Sequence, residues 1–104
     1  MREPPIQEIV EKIVGAFHPR RIVLFGSRAR GEQDAESDVD LLVEMETGLQ
    51  PLQRRLAVDR LFGLRDWPMD VFVYTPEEVE QTRDTVGTLT YAALREGETV
   101  YEET

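Results

Sequence analysis

The sequence predicts an α/β (α+β) fold, a small mixed β-sheet flanked by helices, and three observations carry that reading. Short runs rich in β-branched residues alternate with stretches whose apolar residues recur every three or four positions. Glycine and proline stand at the junctions. No repeat, linker or low-complexity tract interrupts the order, which reads αβ(α)βαβαα. At 104 residues the length suits one domain over residues 1–104 with a single core.

Pro4 and Pro5 lead into a first helix in which Ile6, Ile9, Val10, Ile13, Val14 and Phe17 form one apolar stripe, with Gln7, Glu8, Glu11 and Lys12 opposite. It should end near His18, because Pro19 disfavours helical geometry in the residue before it. His18, the only histidine, is assigned to a cap or the surface and given no catalytic role. Arg21 to Phe25 reads as a buried strand closed by Gly26. A turn with one helical turn is expected from Gly26 to Gly31, then a polar loop holding Glu32, Asp34 and Glu36. The second strand, Asp38 to Glu44, puts Val39, Leu41 and Val43 on one face and Asp38, Asp40 and Leu42 on the other.

Pro51 opens a helix expected to run to about Phe62, with Leu52, Leu56, Val58, Leu61 and Phe62 as its apolar face and Gly63 as its terminator. The run MDVFVYT is a third strand, with Asp70, Phe72 and Tyr74 sharing one face and Val71 and Val73 the other. Thr75, Pro76 and Glu78 make a capping box, the clearest helix start in the chain. A last helix is expected from Thr88 to about Glu96, with Leu89, Ala92 and Ala93 inward and Gly97 as its stop. The acidic end from Thr99 to Thr104 either adds a short edge strand or frays.

The composition, 40% apolar and 32% charged, is that of an ordinary soluble globular protein. No apolar run nears the roughly 20 residues of a membrane span, and the amino terminus MREPPIQEIV has no apolar signal core, so a cytoplasmic location is expected. The lack of cysteine excludes disulfides and thiolate metal sites. A net charge of −9 argues against direct nucleic-acid binding, which relies on Lys and Arg against phosphate. Of twelve basic residues, eleven are Arg, and two of them, Arg28 and Arg30, share one turn. A guanidinium fork suits phosphate oxygens, which points to a small phosphorylated ligand carried with a divalent cation.

Three carboxylates then stand out. If the second and third strands are neighbours, Asp38, Asp40 and Asp70 can converge on one point. Like charges that close repel, and Mg²⁺, which takes oxygen ligands, removes the conflict. Just after a strand, Gly26 allows close backbone approach, and exposed N–H groups with the Ser27 hydroxyl can hold a phosphate. The run GSRARG has no GK[ST] ending and is not a Walker loop. Two bridged metals would support in-line displacement at phosphorus, with Asp70 the candidate to help the attacking hydroxyl lose its proton. Taken singly, a GS pair is usually a turn, a DxD pair is often solvated charge, and the arginines could pair with nearby acids for at most about 1 kcal/mol. The joint order is what folding alone does not require: strand, GS, ten residues, DxD, then Asp on a third strand.

The run FGSRARGEQDAESDVDLLVE resembles the signature of the polymerase-beta nucleotidyltransferase superfamily, and most closely its minimal nucleotidyltransferase branch, small prokaryotic proteins often encoded beside a HEPN-domain partner. The similarity covers nearly the whole chain, including the PMDVFVYT strand and the ending REGETVY. It implies a polymerase-beta-like nucleotidyltransferase fold in which Gly26 and Ser27 bind the triphosphate of ATP and Arg28 and Arg30 neutralise phosphate charge. It further implies that Asp38 and Asp40 ligate two Mg²⁺ ions, and that Asp70 completes the metal site and assists deprotonation. By the same resemblance the protein is the antitoxin of a HEPN toxin–antitoxin module, transferring AMP to a tyrosine of its HEPN toxin. The alternative is a binding module that senses nucleotide and neutralises its partner by docking alone. Nucleobase preference, the number of nucleotides added and homo-oligomerisation are left open by the residues.

Overall fold

A computed structural model describes residues 5–31, 38–65 and 67–103. Helix α1 (Ile6–Phe17) buries Ile9, Val10 and Ile13 along the expected stripe. Burial of each such side chain stabilises the fold by roughly 1.5–3 kcal/mol. The helix stops at His18, which turns left-handed at φ 50° and ψ 57° and donates its N–H to the Val14 carbonyl. Pro19 follows, so the cap is both a geometric and a covalent stop.

Strand β1 (Arg21–Phe25) pairs antiparallel with β2 (Val39–Glu44), and β2 pairs in parallel with β3 (Met69–Tyr74). A parallel neighbour cannot follow by a tight turn, and the crossover is supplied by helix α2 (Pro51–Asp59). Helices α3 (Pro76–Thr82) and α4 (Leu89–Glu96) follow β3. The acidic end then returns as a strand, β4 (Glu98–Glu102), antiparallel to β1, giving the sheet order β3-β2-β1-β4. Arg21 helps to hold that edge, lying 3.6 Å from Glu44 and 3.7 Å from Glu102. The bracketed helix after β1 is a set of turns, at least as far as Gly31, and Glu32, Asp34 and Glu36 of the expected polar loop lie outside the described residues.

The sheet has two different faces, as the alternation predicts. Val39, Leu41, Val43, Val71 and Val73 join Ile22 and Leu24 in the main core beneath α1 and α2. On the opposite face Val23 and Leu42 meet Ala93 of α4, with Phe25, Tyr74, Leu89 and Leu94 around them. Beyond that smaller cluster the same face carries Asp40 and Asp70, both half-buried.

Two helix faces differ from the expectation. On α2, Leu52 is 67% and Leu56 42% exposed, while Arg54 and Val58 are the buried pair. Arg54 takes the inward position because its Nε and Nη1 find acceptors there, and a buried cation so paired is tolerated. The helix also ends at Asp59, where bonds spanning three residues rather than four, from Leu61 to the Val58 carbonyl and from Phe62 to that of Asp59, tighten the chain into turns. Leu61 and Phe62 pack on the core from those turns. On α4, Thr90 is buried and Ala92 is exposed. The Thr90 hydroxyl donates to Thr82 Oγ1 at 2.6 Å, and Thr88 Oγ1 donates to the Thr82 carbonyl at 2.9 Å, a polar latch between α3 and α4. Burying threonine costs little once its hydroxyl is satisfied.

Candidate functional site

The site forms where β1 ends and β2 and β3 begin. In the sheet register Asp40 stands opposite Phe25 on one side and Asp70 on the other. Parallel neighbours in register bring side chains of like parity together on one face, and the Asp40 and Asp70 carboxylates are adjacent for that reason. Asp38, exposed just ahead of β2, joins them: one carboxylate oxygen from each of Asp38, Asp40 and Asp70 lies within 4.8 Å of the others. The three aspartates singled out in the sequence therefore meet.

The Gly26 turn is packed against the same carboxylates. Gly26 has φ 78°, a backbone conformation that favours glycine, and a β-carbon there would run into Asp40 Oδ2. Ser27 and Arg28 follow, half-buried, and Arg30 is exposed, its N–H reaching back to the Gly26 carbonyl at 3.3 Å. A phosphate held by this turn would rest beside the aspartates.

Electrostatically the cluster is strained. Burial, then the charges of Asp38 and Asp70, push the Asp40 carboxyl above its usual range. An all-oxygen donor set whose charges repel suits a hard divalent cation, so the residues present fit such an ion, with Asp38, Asp40 and Asp70 as its ligands.

Two arginines next to one another on α2 escaped the sequence reading. Arg55 Nη2 donates to Asp70 Oδ1 at 2.6 Å, and its guanidinium lies over the Phe72 ring, 5.4 Å from the centroid. Arg54 Nε donates to the Leu49 carbonyl at 2.7 Å, and its Nη1 donates to Glu78 Oε1 at 2.7 Å and to the Val73 carbonyl at 3.4 Å. A signal for Arg54 existed, since it precedes the buried Val58 by four residues and must share its face. For Arg55 none did, because only the parallel docking of β3 brings Asp70 within its reach.

A model of the nucleotidyltransferase domain family matches residues 6–66, more than half of the chain, and the chain belongs to that family. The family is that of nucleotidyltransferase domains. Among individual proteins, a candidate protein adenylyltransferase of Methanocaldococcus jannaschii is 42% identical over 50 residues, which cover 44% of this chain. The match spans 50% of that relative's length. A candidate nucleotidyltransferase of Sulfolobus solfataricus has a similar fold, with TM-score 0.66, 23% identity and coverage of 94% of this chain and 78% of its own. So does a chain in a crystal structure of a toxin–antitoxin with AMP-PNP, with TM-score 0.71, 19% identity and coverage of 97% and 76%. Among the described residues no helix is long and apolar enough to cross a membrane.

Proposed function

We propose that the chain transfers AMP from ATP to a hydroxyl on a partner protein, a tyrosine of a HEPN-domain toxin, and so acts as its antitoxin. The observation that carries this reading is the convergence of Asp38, Asp40 and Asp70 beside the Gly26 turn. The kinship to a candidate protein adenylyltransferase and the fold shared with a toxin–antitoxin chain support the choice of donor and of acceptor class.

In this reading the backbone N–H groups at Gly26 and the Ser27 hydroxyl hold the triphosphate, while Arg28 and Arg30 offset its charge. Asp38 and Asp40 hold two Mg²⁺ ions, with Asp70 completing the set. The chemistry supplied by the bound ions is charge neutralisation and polarisation at the phosphate oxygens. The acceptor oxygen forms a new bond to the α-phosphorus as the bond to the β-phosphate oxygen breaks. Pyrophosphate leaves, and Asp70 takes the proton of the hydroxyl.

The test is mass spectrometry of the HEPN partner after incubation with ATP and Mg²⁺. An added AMP mass supports the transferase, and the number of additions is read from the same spectrum. A tight but unmodified complex would favour neutralisation by docking alone. The Asp38→Asn, Asp40→Asn double variant should leave the partner unlabelled, and labelling that persists would overturn the assignment of those residues.

A further inference from the structure

The third carboxylate already has a cation, and the chain itself provides it. Arg55 approaches Asp70 through one nitrogen, Nη2, at 2.6 Å, and the side chains are 40% and 39% exposed. Asp70 in turn lies within 4.8 Å of Asp38 and Asp40, so the guanidinium stands at the border of the triad. A divalent ion entering the triad meets two obstacles there: an Asp70 oxygen that is already accepting a charged hydrogen bond, and a positive charge close by. Since the pair is half-open to solvent and single-pronged, water can replace it at small cost. The surroundings also provide somewhere to go. The Phe72 ring under the guanidinium is braced by Phe25, with 6.0 Å between ring centroids, and a groove of about 270 Å³ lined by Arg55, Leu52, Phe72 and Tyr74 opens alongside. An arginine can slide over an aromatic face without losing its attraction to it.

We propose that Arg55 is a resident counter-ion of Asp70 that competes with the incoming divalent cation and is displaced over Phe72 when the cation binds. It is a positioning residue in this scheme: it keeps the Asp70 carboxylate neutralised until loading, and its departure couples loading to the shape of the groove beside β3. The scheme rests on the reading of the three aspartates as a divalent-cation site.

Titration of the full chain with Mn²⁺ alone at low ionic strength, followed by calorimetry, tests it. Arg55→Gln should bind Mn²⁺ about three- to tenfold tighter than the wild type, and the gain should shrink as salt is raised. Arg55→Lys, which keeps the charge, should stay within about twofold of the wild type. A merely structural role for Arg55 would weaken binding on substitution rather than strengthen it. In the wild-type chain the Arg55 Nε–H resonance should move in step with added Mg²⁺, a measurement that needs no variant. If the wild type binds Mn²⁺ and Arg55→Gln binds it no tighter, or if the resonance stays still while Mg²⁺ binds, the displacement scheme is wrong and the aspartate site stands. If neither wild type nor variant binds Mn²⁺, the aspartate site is wrong and the scheme goes with it.

Discussion

Arg54 and Arg55 are consecutive residues of one helix, each makes a short bond to a carboxylate, and yet they do opposite things. The distances hardly differ, 2.7 Å to Glu78 and 2.6 Å to Asp70. What differs is the setting. The Arg54 side chain is only 9% exposed and also serves the Leu49 and Val73 carbonyls, so it joins α2, the edge of β3 and the start of α3. Its partner Glu78 is itself tied down, accepting from the Thr75 N–H at 2.9 Å as one half of the α3 capping box. Arg55 has one carboxylate contact and an aromatic surface, in an environment open to water. Pair length is thus a poor guide to pair strength, and burial with the number of satisfied donors decides which arginine is a rivet and which can let go.

The comparison can be broken most severely at the carboxylates. Asp70→Asn should reduce transfer by roughly 10²–10⁴-fold, the range for loss of a proton acceptor, with the folded state retained by circular dichroism. Glu78→Gln should leave transfer close to wild type when measured well below its melting temperature. Next in size are the arginines themselves. Arg54→Ala removes the guanidinium donor from Glu78 and from two carbonyls and should cost about 3 kcal/mol, lowering Tm by roughly 10–20 °C. Arg55→Ala should stay within about 0.5 kcal/mol of the wild type in the same thermal melts.

An effect no larger than that of Arg54→Ala is expected at the turn. Gly26→Ala places a β-carbon against Asp40 Oδ2 in a left-handed backbone, at a cost of about 1–3 kcal/mol in urea denaturation. The smallest effects are in the pH dependence, and they have opposite signs. Bonds from Arg54 and then Thr75 hold the Glu78 carboxyl below its usual value of 4.5, so its stabilisation is present above that value and is lost as pH falls through the depressed one. In Glu78→Gln the acid-side loss should flatten by at most about 1 kcal/mol, because the group is partly solvated. The Asp40 carboxyl is raised, so its charge destabilises the fold as pH climbs above 3.8, and Asp40→Asn should be slightly more stable than wild type at neutral pH. A lower urea midpoint for Asp40→Asn at pH 7 would contradict that sign.

Much of the fold was legible because local rules agree with one another. The β-branched run ending at Gly26, the alternation around Asp40 and the Thr75–Glu78 box each specify one conformation, and the structure has all of them. The aspartates were legible for a related reason: a strand of period two states which side chains share a face, so Asp38 and Asp40 could be grouped from the residues, and Asp70 joined them on the condition, met in the structure, that β3 lies beside β2. Less visible was anything decided across the chain. The inward turn of Arg54 depends on the Val73 carbonyl and on Glu78, and the burial of Thr90 over Ala92 depends on the Thr82 hydroxyl. Those partners outweigh the hydrophobicity that a helical wheel counts. The terminal β4 needed the free edge of β1, which composition does not reveal.

The parallel pairing of β2 with β3 also bears on how the protein comes to be folded. β1 and β2 are an antiparallel pair close together along the chain, whereas β3 reaches β2 only after α2 has crossed over, and β4 must return from the far end to β1. Closing those longer loops is the slower part of the search. Asp38 and Asp40 are therefore in place early, and the third carboxylate arrives only when β3 docks. During synthesis a nascent chain that has released β1 and β2 alone carries two of the three aspartates, and the cluster closes only in the step that docks β3.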